Sequence, residues 1–156
     1  MSTIKKIGIF VALASLTMVI LGWGNAPKLP PENKYQPVLV LEKHDFQAGE
    51  PVKLTIILSN ESGSIVKDVF SSGQSYDFIV LDDNNNIIWQ WSNKKVFTMA
   101  IRPIVLRPGE NLVFTEIWDQ VDNLKDKVKP GKYFIKGIFN VNPNISTGLK
   151  PIIINE

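Results

Sequence analysis

Ser71–Trp91 reads SSGQSYDFIVLDDNNNIIWQW, and the fold is decided by how this stretch is read. Two apolar runs flank the cluster Asp82-Asp83-Asn84-Asn85-Asn86, and neither run contains a proline. In the first run Tyr76, Phe78 and Val80 share one parity, while Asp77 and Ile79 share the other. In the second, Ile87, Trp89 and Trp91 alternate with Ile88 and Gln90. Period-two alternation of aromatic and β-branched residues reads as strand. Asn and Asp suit the turn between the runs, because their side chains bond nearby backbone and tolerate left-handed conformations. The stretch is therefore a β-hairpin with an aromatic face, and a lone hairpin needs a second sheet to cover that face.

Outward from the hairpin the same signals recur. Val52, Leu54, Ile56 and Leu58 fall on one face of Pro51–Asn60, with Lys53, Thr55 and Ser59 largely on the other. Further strands are read at Val38–Glu42, Ile65–Phe70, Asn111–Trp118, Gly131–Val141 and Lys150–Asn155, and Asp119–Pro130 reads as a polar loop. Turns open at Ala48-Gly49-Glu50, Pro108-Gly109-Glu110 and Pro130-Gly131-Lys132, where glycine accepts a positive φ. About seven to nine short strands without a helical pattern predict an all-β fold, an antiparallel two-sheet sandwich; a barrel is also compatible with this spacing. Tyr133 stands where a tyrosine corner would brace a sandwich, which favours immunoglobulin-like topology.

Ahead of these strands, Lys5 and Lys6 precede the uncharged run Ile7–Leu21, IGIFVALASLTMVIL, which is followed by Gly22-Trp23-Gly24-Asn25-Ala26-Pro27. This is the anatomy of an export signal. Counted on to Trp23, the run reaches the lower limit for a spanning helix. Residues 1–25 are accordingly read as a signal peptide or an N-terminal membrane anchor. The flanking lysines would keep the N-terminus cytoplasmic and place the domain outside, secreted or in the cell envelope. Residues 26–37, with four prolines, read as a stiff linker, and residues 38–156 as the folded domain.

Composition excludes several classes of function. The chain has 17 Lys+Arg against 15 Asp+Glu, and Lys5 and Lys6 account for the difference, so the residues from Ala26 onward carry no net charge. A neutral domain lacks the electrostatic footprint of nucleic-acid binding. Without cysteine there is no disulfide and no thiolate, and the single histidine, His44, cannot supply a zinc site. No metal and no cofactor are expected. Gly73-Gln74-Ser75-Tyr76-Asp77 approaches a nucleophile elbow, but Asp77 stands where the second glycine is needed. No catalytic residue is assigned, and the chain is not read as an enzyme. Asp82–Asn86 lacks the bend glycine and distal Glu of a calcium loop. Ser71–Ser75 reads as a turn or bulge, or else Gly73 lets another backbone approach closely. Trp89, Trp91 and Trp118 read as core, with a carbohydrate-stacking platform as the alternative.

The order of these motifs carries a resemblance. Asn60, then Ser71-Ser72-Gly73-Gln74-Ser75-Tyr76-Asp77-Phe78, Trp89-Gln90-Trp91-Ser92 and Phe97 are followed by Pro108-Gly109-Glu110, Trp118-Asp119-Gln120 and Pro130-Gly131-Lys132-Tyr133. Over roughly Asp45 to Val141 the chain resembles the BsuPI family, named for an intracellular proteinase inhibitor of bacilli. The resemblance implies a protein partner, a protease, and inhibition rather than catalysis. The namesake is intracellular, whereas Met1–Trp23 precede the domain here.

One apolar stretch alternates poorly and follows the loop Ser92-Asn93-Lys94-Lys95. Its residues Val96, Phe97, Thr98, Met99 and Ala100 are the candidate protease contact. A subtilisin-like serine protease binds extended segments with apolar side chains in its first and fourth subsites, the spacing of Met99 and Val96. The other reading of the stretch is an edge strand or sheet crossover with Phe97 and Met99 in the core. The function expected is an exported, non-enzymatic binding protein resembling an inhibitor of subtilisin-like serine proteases. The alternative is a cell-envelope interaction or adhesion module for a protein or carbohydrate, without inhibitory activity.

Overall fold

The structure, a computed structural model, describes residues 34–156. The expected leader over 1–25 and the linker's residues 26–33 lie outside the described residues. Eleven strands follow one another: β1 (Gln36–Val40), β2 (Asp45–Gln47), β3 (Val52–Ser59), β4 (Val66–Phe70), β5 (Tyr76–Leu81), β6 (Ile87–Gln90), β7 (Arg102–Leu106), β8 (Asn111–Trp118), β9 (Gly131–Phe139), β10 (Ile145–Ser146) and β11 (Lys150–Asn155). There is no helix among the described residues.

The alternation read from β3 is what builds the first sheet. Val52, Leu54, Ile56 and Leu58 are fully buried, and β3 pairs antiparallel with β1 on one side and β8 on the other. The second sheet runs β2-β11-β9-β5-β6, with β10 paired to β9. Its pairs are antiparallel except β2 with β11, which are parallel. β4 and β7 form a separate antiparallel ribbon. The two larger sheets pack face to face. A Cβ on Gly137 of β9 would lie 2.2 Å from Cγ2 of Ile56 on β3, so glycine is what allows this approach. Trp118 of β8 meets Trp89 of β6 at 6.2 Å and Tyr133 of β9 at 6.0 Å between ring centroids. Each large apolar side chain buried there contributes roughly 1.5–3 kcal/mol relative to exposure.

The central hairpin forms where it was read, as β5 and β6. Its turn is organised by Asp82, whose carboxylate accepts from the backbone N–H of Asn84 and of Asn86 and from the Asn86 side-chain amide at 2.8–2.9 Å. Those bonds, the Asn86 side chain foremost, hold the Asp82 carboxyl below its ordinary range. Asn85 completes the turn at φ 63°. Gly49 and Gly109 likewise take φ of 81° and 77° at the expected turns.

Three strands escaped the expected seven to nine. β2 and β10 are too short to show alternation. In β7, Ile104 and Leu106 face in and Val105 faces out, so apolar residues on both sides hide the period. Pro103 disguises it further, since proline within a strand is tolerated at an edge or a bulge.

Two polar devices explain motifs outside the hairpin. Gln120 is buried, accepts the Gly49 N–H and donates to the carbonyls of Gln47 and Glu50, pinning the β2–β3 turn to the end of β8. The Tyr133 hydroxyl donates to the Lys129 carbonyl at 2.6 Å, four residues upstream. Tyr133→Phe removes that bond alone. It is expected to cost about 0.5–1.5 kcal/mol, read as a lower urea midpoint at unchanged slope. An unchanged midpoint would show that the bond contributes nothing to stability.

Candidate functional site

The segment between β6 and β7 is built from its base upward. Asp77 of β5 is 3% exposed, a buried carboxylate that requires several donors to be tolerated. One oxygen accepts the backbone N–H of Phe78 and of Ser92 at 2.9 and 3.0 Å. The other accepts the Gln90 side-chain amide at 2.6 Å and the Ser92 hydroxyl at 2.5 Å. This ties the start of the loop to the hairpin, and it gives a physical reason for YDF and WQWS to occur together. Two tight turns follow, closed by Asn93 N–H to Gln90 O and Lys95 N–H to Ser92 O, each 3.0 Å, with Lys94 at φ 61°.

From Lys95 to Ile101 the chain then runs without turn or bend. Phe97 is its inward anchor. It is half-buried against Trp91, with ring centroids 5.9 Å apart. Trp91 lies 4.4 Å from Tyr76, and Tyr76 stacks on Phe114 at 4.3 Å. The pile of rings thus runs from the loop into the space between the sheets. Tyr76 donates its hydroxyl to Glu116, and burial together with that carboxylate pushes its ionisation far above the ordinary tyrosine range. Lys95 caps the pile with its ammonium 3.4 Å from the Trp91 ring centroid.

The outward side chains are a different population. Val96 is 98% exposed, Met99 88% and Ile101 69%. Thr98 and Ala100 are exposed as well. The alternative that put Phe97 and Met99 together in the core is therefore half right: Phe97 packs and Met99 does not. Behind the segment, the Gly73 N–H donates to the Thr98 carbonyl at 2.8 Å. Arg102, at the start of β7, donates to the Gly73 carbonyl at 2.9 Å and to the Ser75 hydroxyl. Both readings of Ser71–Ser75 are realised: the chain bends over Ser71–Gly73 on its way into β5, and the Thr98 backbone approaches Gly73 closely.

The remaining candidate residues lie elsewhere in the fold. Trp118 is fully buried and Trp89 is 8% exposed, while Trp91 is occupied by Tyr76, Phe97 and Lys95, so the three do not make a sugar-stacking platform. A groove of about 310 Å³ beside the loop's base is lined by Trp91, Lys94, Lys125, Glu116 and Asp122 among others, charges of both signs. His44 is exposed, and one ring nitrogen lies 3.3 Å from the Pro151 carbonyl oxygen. No cluster of three or more metal-ligating side chains occurs among the described residues.

Comparison with known proteins adds a family to this geometry. No curated protein matches the chain. Among solved structures, sporulation control protein Spo0M from Bacillus subtilis is similar at 12% identity and a TM-score of 0.48, over 80% of this chain and 51% of that one. The alkylpurine DNA glycosylase AlkC from Pseudomonas fluorescens is similar at 13% identity and a TM-score of 0.47, over 79% and 31%. A β-glucosidase from Erythrobacter marinus is similar at 13% identity and a TM-score of 0.44, over 78% and 15%. The chain thus spans about half or less of the length of these proteins. Over residues 39–144 it matches BsuPI, described as intracellular proteinase inhibitor. That description corrects the secreted or envelope location expected from Met1–Trp23, since an intracellular family points to the cytoplasm. With more than half of its length matched, the chain belongs to the BsuPI family of proteinase inhibitors.

Proposed function

We propose that this protein inhibits a subtilisin-like serine protease by presenting Val96–Ala100 to the substrate cleft, with Met99 in the first subsite and Val96 in the fourth. Family membership implies a protease partner and inhibition rather than catalysis. The choice of segment rests on one observation: Val96 and Met99 stand almost fully in solvent on a run without bends, while Phe97 between them is anchored inward. Large apolar side chains left exposed on a braced loop are costly for a monomer and useful to a binding surface. The bracing matters as much as the exposure, because a segment already held in its bound form loses little freedom on docking.

The immunoglobulin-like topology belongs to the same reading. It is supported by the strand order β1-β3-β8 opposite β2-β11-β9-β5-β6, by the parallel pairing of β2 with β11, and by the Tyr133 bond to Lys129. Such a frame holds the β6–β7 connection on rigid strands, and binding residues are commonly carried on loops positioned in this way.

The test is a titration of a subtilisin-type protease with the full chain, following hydrolysis of a small chromogenic peptide. The expected result is saturable inhibition that weakens as the peptide concentration rises, because both occupy the cleft. Full protease activity in the presence of excess folded protein would remove the reading for this protease class.

A further inference from the structure

We propose that Gly73 is the positioning residue of the inhibitory segment, a spacer without which Val96 and Met99 cannot be presented together; this rests on the reading just given. Gly73 lies on the connection between β4 and β5, far in sequence from the segment it supports. Its φ is not in the left-handed region, so its role does not come from backbone freedom. The demand is for space. A Cβ at this position would lie 2.6 Å from Thr98 Oγ1, 3.1 Å from Thr98 N and 3.3 Å from Thr98 O. The nearest of the three is the Thr98 hydroxyl and the other two are backbone, so a methyl group here must displace that side chain and shift the segment by a few tenths of an ångström.

Both peptide groups at Gly73 are used. Its N–H donates to the Thr98 carbonyl at 2.8 Å, and its carbonyl accepts from Arg102 at 2.9 Å. Gly73 therefore joins the middle of the exposed segment to the residue that opens β7. The direction of the first bond has a consequence for recognition. With the Thr98 carbonyl turned back to Gly73, that acceptor is occupied, and the other side of the segment is the one left open to pair with an enzyme strand. The same bond fixes which side of the run faces the protease.

The experiment compares full-length wild type, Gly73→Ala, Thr98→Ala and the double variant in the protease titration, with a urea melt of each. Gly73→Ala is expected to raise the inhibition constant about ten- to a hundred-fold, the equivalent of a small overpacking at the loop. Its melt should stay close to wild type, since the crowding falls on an exposed segment and not on the core. Thr98→Ala removes the nearest contact, so the double variant should recover much of the lost inhibition, which a general loss of stability would not allow. Arg102→Ala guards against a Gly73 variant that fails to fold. Arg102 is exposed, and losing its charged bond to Gly73 should weaken inhibition by about tenfold. Wild-type potency in folded Gly73→Ala, or in Arg102→Ala if the former does not fold, would overturn the role of Gly73 while leaving the inhibitor reading in place. So would a double variant no better than Gly73→Ala. Absence of inhibition by wild type would instead overturn the inhibitor reading, and this inference with it.

Discussion

Trp118→Ala is expected to destabilise the fold by about 3–5 kcal/mol, the usual cost of truncating a core aromatic. Among the described residues Trp118 is the largest of the fully buried side chains. It stands where the two sheets meet, against Trp89 of β6 and Tyr133 of β9, and its indole N–H donates to the Val121 carbonyl at 2.7 Å. The substitution empties the space between three elements and releases the chain that follows β8. Domains of this size are stable by about 5–15 kcal/mol, so the loss is a large fraction of the total. A thermal melt should fall by roughly 10–20 °C, or the variant should fail to fold. A melt within a few degrees of wild type would mean that the sheets do not depend on this contact.

Met99→Asp is expected to leave the melt unchanged and to abolish inhibition. The two halves of that statement come from the same observation. Met99 is 88% exposed, so a carboxylate there stays hydrated in the free protein and costs the fold nothing appreciable. In the complex the same group would enter an apolar subsite and lose its water without gaining a partner, which is strongly unfavourable. Binding energy at interfaces concentrates in a few anchors, so one such change should weaken inhibition by more than about a hundredfold. Parallel titrations and melts of the two proteins decide the matter. Inhibition retained by folded Met99→Asp would move the contact elsewhere on the surface, and a collapsed melt would place Met99 in the core after all.

How far the sequence could be read depended on whether a residue's role was local. The hairpin was legible because Tyr76, Phe78 and Val80 alternate beside a turn whose Asn and Asp side chains bond their own backbone. Strand β3 was legible for the same reason. Asp77 was not, because period-two reasoning sets it on the face opposite Phe78 and says nothing about what covers that face. The cover is Gln90 and Ser92 from the next strand end, a contact visible only once the hairpin is folded. The signal available was the pairing of YDF with WQWS, which makes sense only if the two runs exchange polar groups. At Gly73 the sequence offered two readings, a turn residue or a close approach. The chain does bend there, but the close approach was hidden, since seeing it required knowing that Thr98, twenty-five positions on, returns to the same place. The segment Val96–Ala100 could be singled out because its alternation fails. That failure has a cause in the structure, since Phe97 points in while Val96, Thr98, Met99 and Ala100 are exposed.

The central claim is that Val96–Ala100 meets the protease, and amide hydrogen exchange of the full chain tests it most directly. Exchange would be measured alone and with a subtilisin-type protease whose nucleophilic serine has been replaced, so that binding proceeds without cleavage. The account predicts new protection within Val96–Ala100, as this segment pairs with the enzyme, and little change on the outer face of β1-β3-β8. Protection confined to that sheet face or to the β8–β9 connection, with Val96–Ala100 exchanging as in the free protein, would contradict it.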